Sequence, residues 1–187
     1  MASRLWLVRH GETAWSLSGQ HTSTTDLPLT AEGERKAAEV GKLLAGKKFS
    51  AVDVSPMLRA RETCRIAGYA DCAIVTEDLR EWNYGSYEGL TTSDIQKTAP
   101  GWSIWSDGPA GGETIGQVAE RARRVIEWAR DGDVAIFGHG HMLRILAACW
   151  LGVEPQMARC FALSTGSVSV LGYERETRVI QSWNQTA

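Results

Sequence analysis

The 187-residue sequence lacks any apolar run approaching the ~18 residues needed to cross a bilayer, and Arg4 and Trp6 interrupt its start, so no signal peptide or membrane span is expected. It has no block of basic residues. Its 20 Lys+Arg stand against 22 Asp+Glu, a formal net charge of −2, which argues against a general nucleic-acid or anionic-membrane surface. Only four cysteines occur, Cys64, Cys72, Cys149 and Cys160, and no two form C-x-x-C. A disulfide framework or zinc ribbon is therefore not expected, and a reducing cytoplasm is the default compartment. Cys64 and Cys149 fall in apolar helical patterns, where a free thiol acts as a small hydrophobe. There is no internal repeat and no Pro/Gly/Ser linker, so residues 1–187 read as one domain.

What is present alternates between short apolar runs and amphipathic segments. Leu5-Trp6-Leu7-Val8 reads as a strand buried on both faces, and Asp133–Phe137 as a second. Residues 12–29 are polar and aperiodic and read as loop. Thr30 can cap a helix running to about Ala45. Ala51–Val54 is another short strand, and Ser55-Pro56 reads as N-cap and first-turn proline of a helix to about Ala67. Ala73–Thr76 adds a strand; Leu79–Gly112 is an excursion with one short helix near 91–98.

Thr114 and Gln117 form a capping box, opening an amphipathic helix to about Arg130 with Ile115, Val118, Ala119, Ala122, Val125, Ile126 and Ala129 along one side. An apolar helix runs from Met142 to Leu151, and Ser167–Tyr173 with Arg178–Trp183 alternate like a strand pair. This order implies an α/β fold, a three-layer α/β/α sandwich on a mainly parallel sheet.

Both of the best buried strands end in His-Gly, at His10-Gly11 and His139-Gly140. In open α/β sheets ligands bind beyond the carboxyl ends of the strands, so two of the four histidines stand where a ligand is expected. Arg59 lies in the first turn of the helix after the second strand, where free N–H groups and a guanidinium fork suit phosphate oxygens. Arg9 beside His10 supplies another guanidinium. Two Arg and two His at one sheet edge describe a pocket for a dianion, phosphate being the commonest.

Leu7-Val8-Arg9-His10-Gly11-Glu12-Thr13 resembles the opening signature of the histidine phosphatase superfamily, also called phosphoglycerate-mutase-like. The likeness continues in family order through Asp26–Thr30, Ser55–Thr63, Glu81–Gly85 with Glu88-Gly89, Gly112–Thr114 and Gly138–Gly140, spanning roughly residues 4 to 150. The resemblance implies that His10 attacks phosphorus and becomes a phosphohistidine. It implies that Arg9, Arg59 and His139 hold the phosphoryl oxygens, and that Glu81 protonates the leaving alkoxide and later takes a proton from water. No metal and no cofactor is called for, because guanidinium groups neutralise the transition-state charge.

Glu12, Glu62 and Glu88 rival Glu81 as the acid. Ser16, Thr22 and Ser23 occupy the loop that in relatives touches phosphate or substrate, though ordinary turn residues look the same. Gly140 and His141 are further substrate-contact candidates. His139-x-His141 could chelate a metal, but no carboxylate spacing completes such a site. Arg61, two residues from Arg59, faces elsewhere on the helix. Trp82, Trp102 and Trp105 read as packing residues, with sugar stacking as the alternative.

Mutases of this family carry a long insertion after the Glu block, a C-terminal tail and Asn where Ser16 stands. Here about thirty residues separate Glu81 from Glu113, and four follow Trp183. A more open pocket favours hydrolysis over phosphoryl retention. Trp15-Ser16-x-Ser18-Gly19-Gln20, Thr25–Pro28 and Gly138-His139-Gly140-His141 are similar to the sugar-bisphosphatase branch, which includes sedoheptulose-1,7-bisphosphatase of histidine-phosphatase type. The expected activity is thus hydrolysis of small phosphorylated metabolites, sugar phosphates first, with phosphoglycerate mutase or phosphoprotein phosphatase as alternatives. The sequence leaves oligomeric state open, a homodimer included.

Overall fold

A computed structural model describes residues 4–128 and 132–186. Its described strands form one six-stranded sheet: β1 (Arg4–Arg9), β2 (Ala51–Val54), β3 (Ala73–Val75), β4 (Asp133–Gly138), β5 (Val168–Glu174) and β6 (Thr177–Gln185), in spatial order β3-β2-β4-β1-β5-β6. The first four strands are mutually parallel; β5 and β6 extend the β1 side as an antiparallel hairpin. The helices are α1 (Ala14–Ser18), α2 (Ala31–Leu43), α3 (Leu58–Ile66), α4 (Thr92–Thr98), α5 (Ile115–Trp128) and α6 (Gly140–Leu151).

Period-two alternation divides the core into two layers. Leu5 and Leu7 of β1, with Val134 and Ile136 of β4, pack against α5 and α6. Trp6 and Val8, with Ala135 and Phe137, pack against α2 and α3. Both faces of the central strands are covered, which is why these strands are apolar throughout. Each fully buried Leu or Ile contributes roughly 1.5–3 kcal/mol of burial.

The order of the strands positions the site. β1 and β4 are neighbours, in register from Arg4 opposite Asp133 to Arg9 opposite Gly138, so His10 and His139 emerge side by side. Helix α2, in the connection after β1, covers one face of the sheet and α6, after β4, the other. The chain therefore parts at this edge and leaves a crevice at the switch point.

Local details differ from expectation in two places. A short helix, α1, stands inside the stretch read as loop. Its box joins Thr13 to Ser16 rather than to Glu or Gln, and five residues give no readable period. Ser55 does not cap α3: the cap comes from outside the local sequence, the Asp26 carboxylate accepting from the Leu58 N–H at 2.7 Å. The expected end of α5 near Arg130 lies outside the described residues. Thr30 and Thr114 cap as anticipated, and Cys64 and Cys149 are buried while Cys72 and Cys160 are exposed.

Candidate active site

A cavity of about 450 Å³ opens beyond the ends of β1 and β4, within the size range of small-molecule sites. Arg9, His10, Glu81, Gly140 and His141 line it at the sheet edge, and Ser16 and Thr22 line it from the loop. The 79–112 excursion supplies a wall that includes Trp102 and Trp105. A backbone bridge of Gln20 to Thr91, with bonds from His21 to Leu90 and Gly89 to His21, ties the loop to the excursion.

His10 is held by its own backbone neighbour. Nδ1 lies 2.6 Å from the Gly11 carbonyl, which can only accept, so Nδ1 carries the proton and Nε2 keeps its lone pair. Gly11 is fixed in turn: its N–H donates to Thr63 Oγ1 at 2.9 Å, and a Cβ there would collide with the backbone of Gly33. Burial, then the charges of Arg59 and Arg9, push the His10 imidazole well below its usual 6.5, against the opposing effect of the Gly11 carbonyl. The neutral ring is thereby favoured, with the lone pair of Nε2 left free.

His139 is wired differently. It is wholly buried, its ring centroid 5.2 Å from that of His10. Arg59 Nε donates to its Nδ1 at 3.2 Å, which places the ring proton on Nε2, facing Ser55 Oγ at 2.7 Å. Burial, followed by Arg59, lowers its pKa well below 6.5. Arg59 is also wholly buried, donating to the carbonyls of Thr22, Ser23 and Thr25. These two residues stand one layer behind the cavity lining. Arg9 is at the lining itself: Nη1 donates to the Leu163 carbonyl, and its buried Nε has no partner among the described residues. An orphaned guanidinium donor in a cavity suits an anion. A Cβ at Gly140 would sit 3.3 Å from Arg9 Cζ, so the glycine leaves room for that side chain.

The carboxylates separate clearly. Glu81 Oε1 accepts from the N–H groups of Trp82 and Met142, and Oε2 from that of His141, docking the carboxyl at the N-terminus of α6 on the cavity wall. Glu12 is turned toward Thr30 and Lys36. Glu88 clamps the loop by accepting from Ser23 and Thr25, and those bonds hold it below the usual carboxylate range against the effect of its burial. Glu62 pairs with Arg65 on its own helix.

The loop candidates are less uniform. Ser16 lines the cavity, but its hydroxyl is engaged in the α1 cap; Thr22 lines it with a hydroxyl donating to the Gln20 carbonyl. Ser23 does not line this cavity. Its hydroxyl donates to Glu88 and its carbonyl accepts from Arg59, so its observed contacts hold the loop in place. Arg61 is exposed, as anticipated. Trp82 is fully buried packing, whereas Trp102 and Trp105 are mostly buried packing and also face the cavity.

Sequence reading missed His21, Tyr84 and Arg144, all at the lining. Tyr84 lies inside the Glu81–Gly85 motif, and Arg144 is one helical turn from Gly140, a signal that places it on the same face. His21 had no local signal beyond its loop. Among the described residues no group of three His, Cys, Asp or Glu is placed to share a metal ion, and no helix is long and apolar enough to cross a membrane.

A mainly parallel sheet whose switch point gathers a neutral histidine, buried guanidinium groups and one pocket carboxylate defines a phosphoryl-transfer enzyme of the histidine type. Comparison with known proteins agrees: the model of the histidine phosphatase superfamily (branch 1) matches residues 5–186, and the chain belongs to that family. An acid phosphatase of Mycobacterium tuberculosis is 38% identical over 181 residues, 94% of this chain and 89% of the relative. The sedoheptulose 1,7-bisphosphatase of Saccharomyces cerevisiae is 37% identical, covering 83% of this chain and 70% of the relative. The solved structure of a Mycobacterium tuberculosis open reading frame product superposes with a TM-score of 0.93 at 37% identity, over 98% of each chain. The chain is a hydrolytic phosphatase acting on phosphorylated metabolites.

Proposed function

We propose that this chain works as one histidine phosphatase domain and hydrolyses small sugar phosphates through a phosphohistidine formed on His10. The observation that carries the mechanism is the Nδ1 bond of His10 to the Gly11 carbonyl, which leaves Nε2 unprotonated at a cavity holding the partnerless Nε of Arg9. The Nε2 lone pair forms the N–P bond as the ester P–O bond breaks. Glu81 delivers a proton to the leaving alkoxide. Water then attacks phosphorus, Glu81 takes its proton, and the N–P electron pair returns to Nε2 as inorganic phosphate leaves.

Arg9 stabilises the oxygens of the transferring group directly, with Arg59 and His139 behind it adding positive potential and orientation. Glu81 is supported as the acid because it is the carboxylate among the four candidates that lines the cavity. The sugar class is supported by the cavity's size, by its Trp15, Trp102 and Trp105 walls, and by the likeness to the yeast bisphosphatase. Four free cysteines support a reducing, cytoplasmic setting.

A screen of sugar mono- and bisphosphates by phosphate release, beside a phosphopeptide panel and 3-phosphoglycerate, tests this reading. Preference for a sugar phosphate by tenfold or more in kcat/KM is expected. Preference for phosphopeptides, or transfer of phosphate to a second hydroxyl instead of water, would replace it.

A further inference from the structure

At the cavity lining, His141 stands against an aromatic cluster. Its ring lies 4.9 Å from Trp105, 5.7 Å from Tyr84, 6.0 Å from Trp82 and 6.2 Å from His21. Tyr84 is almost wholly buried, and its hydroxyl lies 2.7 Å from His141 Nδ1. That hydroxyl has no other protein partner among the described residues. If Nδ1 carried the proton and donated to the phenol oxygen, the phenol proton would have no protein acceptor among the described residues. His141 Nε2 has no hydrogen-bond partner among the described residues, yet it is not a buried orphan, and the residue lines the cavity.

We propose that Tyr84 is a positioning residue: it donates to Nδ1 of His141, fixes the imidazole proton on Nε2, and makes His141 a neutral donor to an oxygen of the substrate outside its phosphoryl group. Two further observations fit. Burial, chiefly, raises the Tyr84 phenol well above its usual 10, so it remains a donor. Burial, with the charges of Arg144, His21 and Arg9, holds the His141 ring well below 6.5. Glu81 Oε2 lies 3.9 Å from Nδ1, beyond hydrogen-bond length, and accepts instead from the His141 backbone N–H. The carboxylate thus grips the backbone of His141 while the phenol grips its ring. One residue thereby joins the proton-handling group to the part of the pocket that reads the organic half of the substrate.

The donor role rests on the phosphatase reading; the tautomer does not, and the two are tested separately. In ¹⁵N-labelled protein, long-range ¹H–¹⁵N correlation should show His141 with Nε2 protonated and Nδ1 unprotonated. Tyr84→Phe should relax this to a mixture of tautomers. A wild-type ring protonated on Nδ1 would overturn the proposal whatever the substrate.

The kinetic arm compares phenyl phosphate with fructose 1,6-bisphosphate, the latter measured as substrate or as competitive inhibitor. Tyr84→Phe should weaken binding of the sugar phosphate at least fivefold more than it raises KM for phenyl phosphate. In a His141→Gln background, whose amide keeps a donor without help from the phenol, the same substitution should add nothing. Equal losses on both compounds, or a full additional loss in that background, would make Tyr84 mere packing and refute the positioning role.

Discussion

At the end of β1 the His10 ring gives one nitrogen to the Gly11 carbonyl and keeps the other for the cavity; at the end of β4 the His139 ring has both nitrogens engaged, by Arg59 and by Ser55. The two strands are adjacent and in register, both dipeptides read His-Gly, and burial is the first cause of the lowered pKa of each ring. The difference therefore lies in wiring. A neutral imidazole with a free lone pair can attack phosphorus. One whose only lone pair accepts from a guanidinium, and whose N–H faces a serine hydroxyl, has none left to attack with.

The comparison is broken most severely at His10. His10→Ala should lower turnover by on the order of 10⁶-fold, as losing a covalent nucleophile does, with the circular dichroism spectrum unchanged. A folded variant keeping more than a few per cent of activity would mean that the two rings share the nucleophilic role.

Glu81, docked on the helix that follows β4, should come next. Glu81→Gln should slow alkyl phosphates by ~10²–10⁴-fold, the usual worth of general acid catalysis. Nitrophenyl phosphate, whose leaving group needs little protonation, should suffer far less. Equal losses on both would move the proton donor elsewhere.

Ser55→Ala sharpens the contrast, because it removes a partner from His139 and none from His10. A loss of about 1 kcal/mol is expected, seen as a fall of ~2–4 °C in Tm, with phosphohistidine formation retained. Failure to form the phosphoenzyme would give His139 a more direct part in the chemistry.

A further consequence concerns stability against pH. His10, His139 and His141 all titrate lower in the folded protein than the 6.5 expected on unfolding. Below 6.5 the unfolded chain binds more protons, so stability is fully present above that pH and declines as pH falls toward the lowered folded values. Each ring contributes at most about 1.4 kcal/mol per pH unit. Urea midpoints that hold constant from pH 7 to 5 would show that the rings are not kept neutral.

Much of this was legible in the chain because it is local. Alternating apolar runs gave the layers, and each His-Gly terminus marked where the sheet ends in chemistry. What escaped was supplied by distant residues. Ser55-Pro56 has the form of a helix cap, yet the serine serves His139 across 84 positions and Asp26 caps the helix from another loop. The same separation hid the distinction between Arg9, at the lining, and Arg59, behind it. Nor could a sequence show Tyr84 meeting His141, since their 57-residue separation is closed only when the excursion folds over the sheet edge.

The most direct test of the whole account is to trap the covalent species. Enzyme mixed with a ³²P-labelled sugar phosphate, quenched within milliseconds in alkali to preserve an N–P bond and digested, should yield label on the peptide carrying His10. The same peptide should be unlabelled in acid-quenched samples. Label on a serine, on an aspartate or on the His139 peptide, or no label despite rapid turnover, would contradict it.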